Sequence, residues 1–88
     1  MTEQERQQLI DDTNEAVTTF EDYYDVKLKK AAYIKFMTYI TEYTMDEMRV
    51  ALDIAMMQYD DKVEAFLKLG GILHNRAKAK NEYMEAEE

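Results

Sequence analysis

The chain reads as an all-α protein, a compact bundle of four main helices, and three features of the sequence lead there. Its 88 residues include no proline and only two glycines, too little turn chemistry for a β-sandwich, whose strands need Gly and Pro at frequent turns. Ala, Leu, Met, Lys and Glu, the strong helix formers, are abundant. Apolar residues recur at spacings of three and four, the period of a helix with one buried face. A chain of this size makes one domain with a single modest core. The expected division is a helical domain over residues 1–80, followed by an acidic tail over 81–88.

The first helix opens at Thr2, which with Glu5 has the spacing of a capping box, and ends near Tyr23. Leu9, Thr13, Ala16, Val17, Phe20 and Tyr24 recur on its core side. A second helix is expected from about Val26, burying Leu28, Ala32, Phe36, Tyr39, Ile40 and Tyr43, with Lys30 and Lys35 outside the stripe. Thr44 stops it and caps the next, since Thr44 and Glu47 form another capping-box pair, and Tyr43 and Met48 sit where a hydrophobic staple packs.

The third helix, about Met45 to Tyr59, places Met45, Met48, Leu52, Ala55, Met56 and Tyr59 on one face. A second apolar stripe, Val50, Ile54 and Met57, lies nearly opposite. Either the helix is central and buried on both sides, or that stripe is a surface for a partner or a second copy of the chain, to which adaptable methionine is well suited. Asp61 and Glu64 give one more cap spacing before the fourth helix.

In that helix Val63, Phe66, Gly70, Leu73, Ala77 and Met84 hold one apolar phase across Gly70 and Gly71. Two readings stay open. A continuous helix uses glycine for close backbone approach at a cost of roughly 1 kcal/mol per glycine, or the helix is kinked or broken there with Gly70 as a C-terminal cap after Leu69.

The composition bears on function mainly by exclusion. The chain has no serine, no cysteine and a single histidine, His74, so a nucleophile paired with an oriented base is not available. Acid pairs such as Asp11/Asp12 and Asp60/Asp61 lack the spacing of a calcium loop, and no glycine-rich turn joins a strand to a helix. A non-enzymatic protein without cofactor or metal is therefore expected. The opening MTEQERQQLI is polar and acidic where a secretory signal is basic and then apolar, and there is no apolar run near 20 residues. With cysteine absent, the expectation is a soluble cytoplasmic protein with no membrane partner.

The net charge of −8 opposes nucleic-acid binding by the molecule as a whole. Its distribution is uneven: four bases and no acid over 26–40, and five bases against one acid over 62–80, between strongly acidic segments. Acidic and basic helices lying side by side satisfy this pattern, and so does a local basic face. In the fourth helix Lys68, Ile72, Asn75, Arg76, Ala79 and Tyr83 share the side away from the apolar phase, with Lys78 and Lys80 extending the charge. These residues suit phosphate or acidic-protein contact, and a solvated helix end beside the C-terminal dipole also accounts for them.

The segment Gly71-Ile72-Leu73-His74-Asn75 carries an Ile-Leu-x-Asn match. Upstream come an aromatic cluster at Phe20, Tyr23 and Tyr24, then a helix, then a cap followed by Asp46-Glu47 and Ala51-Leu52. In these features, over roughly residues 16–80, the chain resembles the DnaD-like domain of primosome and phage replication-initiation proteins. Lys68 and Arg76 stand where that family's pattern has aromatic residues. The resemblance implies a helical adaptor that contacts DNA or replication proteins; the expected contact set, Lys68, Ile72, Asn75, Arg76, Lys78 and Lys80, comes from the outward face of the fourth helix and not from the resemblance. The acidity of the chain supports a rival expectation, a small phage or bacterial protein whose carboxylates (Asp11, Asp12, Glu15, Asp22, Asp53, Asp60) occupy a basic surface of a host protein and so inhibit or regulate it.

Overall fold

The first turn of the chain is set by a reciprocal cap: the Glu5 N–H donates to Thr2 Oγ1 at 3.1 Å and the Thr2 N–H to the Glu5 carboxylate at 3.4 Å. From there the computed structural model, which describes the backbone of residues 1–86 and the side chains of 1–81, runs through four helices with no strand among the described residues. They are α1 (Glu3–Tyr24), α2 (Lys30–Tyr43), α3 (Met45–Gln58) and α4 (Lys62–Ala86). The molecule is flattened, 45 × 37 × 17 Å. α3 packs against α4, α1 against α2, and α2 touches every other helix.

Each boundary has a local cause. α1 ends at Asp25, a non-glycine residue in the left-handed region (φ 53°), a conformation that Asp tolerates because its short side chain can bond locally. The Glu21 carboxylate accepts from the Leu28 N–H at 2.7 Å and holds the connection that follows. Because that connection is extended, α2 begins at Lys30, later than the apolar pattern indicated. Thr44 alone separates α2 from α3; its Oγ1 accepts from the Glu47 N–H at 3.2 Å while its backbone sits at φ 130°. Asp61 accepts from the Glu64 N–H at 3.0 Å and starts α4.

The core is assembled around the three phenylalanines. Phe20 of α1 meets Phe36 of α2 edge-on at 5.8 Å, and Phe36 stacks on Phe66 of α4 at 5.9 Å. Such ring pairs add about 0.5–1.5 kcal/mol beyond their area burial. Met48, Ala51, Leu52 and Ala55 supply the face of α3, and Ala65, Leu69 and Leu73 that of α4. The buried Thr13 returns its hydroxyl to the Leu9 carbonyl at 2.7 Å. At the end of α3 two tyrosines from α1 serve the terminal carbonyls: Tyr23 donates to Met56 at 2.9 Å and Tyr24 to Tyr59 at 2.7 Å. Burial pushes the Tyr24 and Tyr39 phenols above their ordinary range.

α4 is continuous through Gly70 and Gly71. At Gly70 a β-carbon would lie 2.6 Å from the Tyr39 hydroxyl, whereas at Gly71 it would meet nothing within 4 Å. Gly70 thus serves the close approach of α2, and Gly71 has no such role. The buried phase of α4 keeps Phe66 and Leu73 of the expected one but is shifted from it. It runs through Ala65, Leu69 and Leu73, while Val63 is 57% exposed. The α4 backbone is helical to Ala86, and the side chains of the expected acidic tail beyond Asn81 lie outside the described residues.

Candidate functional site

The residues expected to form a basic face on α4 do not act as a set. Lys68, Asn75, Lys78 and Lys80 are exposed. Ile72 instead packs against the core, and Arg76, half-buried, donates from Nε to the Glu47 carboxylate at 2.8 Å, with side chains 39% and 29% exposed. The face bearing Ile72 and Arg76 is turned toward α3, because the true core phase of α4 lies beside it. The hydrogen bond from Arg76 holds the Glu47 carboxyl below its usual range, with Lys80 adding a weaker attraction. Arg49 is likewise occupied, donating to Glu15 of α1 at 2.9 Å and to Asp46 at 3.1 Å. That bond lowers Glu15 in turn. All three ion pairs among the described residues therefore belong to arginine, and no lysine takes part.

The second stripe of α3 is not covered by another helix. Val50 is 38% exposed, Ile54 half-buried and Met57 85% exposed, so the helix is buried on one side. Of the carboxylates expected to act as an acidic surface, Asp11 and Asp12 accept from Gln7 and Gln8 at 3.0 and 2.8 Å, and Glu15 is held by Arg49. Asp22, Asp53 and Asp60 are exposed.

What the fold brings together, and periodicity did not indicate, is a groove of about 530 Å³ between the first turns of α2 and α4. Its floor is the aromatic core, reached through Phe20, Ala32 and Phe66, and its flanks are Val26, Leu28 and Val63. Lys27, Lys29, Lys35 and Lys62 also line it. Here the two basic segments of the chain, 26–40 and 62–80, meet. Lys35 extends along Tyr39, its Nζ 5.5 Å from the ring centroid. The first turn of α2 forms part of the wall through Lys29, Ala31 and Ala32; it contains no acidic residue, and its N-cap, Lys29, offers no side-chain acceptor. The positive end of that helix dipole is therefore left without a carboxylate of its own helix.

The signal for this site was present in the sequence as the uninterrupted basic run over 26–40, together with Val63, the apolar residue that the core phase leaves out. No helix among the described residues is long and apolar enough to cross a membrane. No protein-family model, curated protein or solved structure matches the chain.

Proposed function

We propose that this protein is a non-enzymatic cytoplasmic adaptor that works by holding a segment of another protein in the groove between α2 and α4. One observation carries the reading: an apolar trough lined by four lysines on a chain of net charge −8. Leaving apolar surface open to water forgoes about 25 cal/mol per Å² of stabilisation, and an exposed apolar patch with a polar rim is the usual mark of an interaction surface. The DnaD-like resemblance around Gly71-Ile72-Leu73-His74-Asn75 supplies a setting, replication initiation, in which the partner is a replication protein. DNA contact through the end of α4 is the weaker form of that reading, because Arg76 is engaged with Glu47.

Selection of a random-peptide display library against the full chain and against Val63→Glu tests the adaptor reading. Val63 is exposed, so the substitution leaves the fold intact while placing a charge in the groove. Peptides enriched on the wild-type chain and lost on the variant are the expected result. Equal enrichment on both, or none on either, contradicts it.

A further inference from the structure

We infer that the groove accepts an acidic amphipathic helix of the partner protein, an inference that rests on the adaptor reading and gives the partner a chemical class. α2 contributes Ala31, Ala32 and Lys35 and α4 contributes Lys62, Val63 and Phe66, in each case one helical turn, about 6 Å of rise. A trough between two helices takes a third helix along it, the occupant burying residues spaced i, i+3 or i+4, and i+7. The apolar edge continues along α4 past the groove to Leu67, which is 71% exposed.

Charge selects among helices. Four lysines line the groove, none of them in an ion pair among the described residues, and the positive end of the α2 dipole adds to them. Several acids that adjoin these segments in the sequence cap backbone N–H groups or line a neighbouring hollow. Asp61 caps α4 through the Glu64 N–H, and Glu21 holds the Leu28 N–H. Asp22 and Asp25 border a neighbouring hollow that shares Val26 and Lys27 with the groove. Carboxylates flanking an apolar stripe complement this arrangement.

The same geometry disfavours a nucleic acid. A duplex carries a charge every ~1.7 Å along its axis, so a backbone laid over the lysines runs on into Glu21, Asp22 and Asp25. An apolar floor made of Phe20 and Phe66 rewards leucine-like side chains and gives nothing to phosphate. A short segment with a few carboxylates gains from both the floor and the rim.

The test is fluorescence anisotropy with the full chain and three labelled peptides of about 14 residues: an acidic amphipathic helix with leucines at helical spacing, the same composition scrambled, and a version with each Glu replaced by Lys. The acidic helix is expected to bind at least about tenfold more tightly than either control, with affinity falling as salt rises. Lys35→Glu combined with Lys62→Glu sets two carboxylates against the remaining Lys27 and Lys29 and should abolish the preference while the lysine version binds at least as well as before; both positions are exposed, and that retained binding reports a folded groove. Equal binding of the acidic and lysine peptides by the wild-type chain overturns the inference. So does a labelled duplex of about 20 base pairs that outcompetes the acidic helix and is lost in the same double variant. Display selections that enrich groove-dependent peptides without acidic residues leave the adaptor reading standing and remove only this partner class.

Discussion

Arg76 Nε lies 2.8 Å from the carboxylate of Glu47, joining the second half of α4 to the first turn of α3. The contact pairs with a carboxylate a cation that a DNA-contacting α4 would use, and it makes Glu47 serve twice, since its backbone N–H is also the one that Thr44 caps.

The pair has a pH consequence. The Glu47 carboxyl is held below its ordinary value of 4.5, chiefly by the Arg76 hydrogen bond. A carboxyl depressed in the folded state contributes stability at pH values above that ordinary value and loses it as pH falls through the depressed one. Chemical denaturation of wild type and Glu47→Gln at about pH 7 and about pH 3.5 should therefore give a stability difference that narrows in acid. A constant difference removes the linkage. Glu15→Gln, opposite Arg49, should behave in the same sense.

The two adjacent glycines are expected to respond differently to alanine. Gly71→Ala meets open space and should stabilise α4 by about 0.5–1 kcal/mol through helix propensity and a less flexible unfolded chain. Gly70→Ala drives a methyl into the Tyr39 hydroxyl and should forfeit that gain or destabilise. Placing Gly70→Ala in a Tyr39→Phe background should recover part of it, measured as a favourable coupling in thermal melts of the four proteins. Equal effects at both glycines contradict the close approach.

Thr44 combines a useful side chain with an unfavourable backbone. A β-branched residue at φ 130° carries strain of roughly 1–3 kcal/mol, and its hydroxyl caps α3. Thr44→Ala should lose about 1 kcal/mol by giving up the cap while keeping the strain. Thr44→Gly gives up a few tenths for the cap and relieves the backbone, so it should be stabilising. Urea midpoints of the two variants on opposite sides of wild type are the expected outcome.

The helices were legible because their signals are local. The caps at Thr2, Thr44 and Asp61 depend on residues three apart, and each forms the expected bond. The stripe of α1 was read correctly through Phe20 for the same reason. In α4 the expected phase holds at Phe66, Gly70 and Leu73, but it misses Ala65 and Leu69, since a small alanine gives a weak apolar signal, and it includes Val63, which faces the groove. Arg76 was expected to point to solvent because a charge on one helix carries no information about an acid waiting on another. The groove joins Ala31 and Lys35 to Lys62 and Val63, positions brought together only by the pairing of α2 with α4, and no period within a single helix encodes that pairing.

The most direct measurement is a titration of the ¹⁵N-labelled chain with the acidic amphipathic peptide, following backbone amide shifts. The largest changes are expected over residues 26–35 and 62–66, with the amides of Val50, Ile54 and Met57 and those of residues 75–80 little affected. Changes concentrated on Val50 to Met57, or on Asn75 to Lys80, would place the partner surface elsewhere and contradict the groove as the working site.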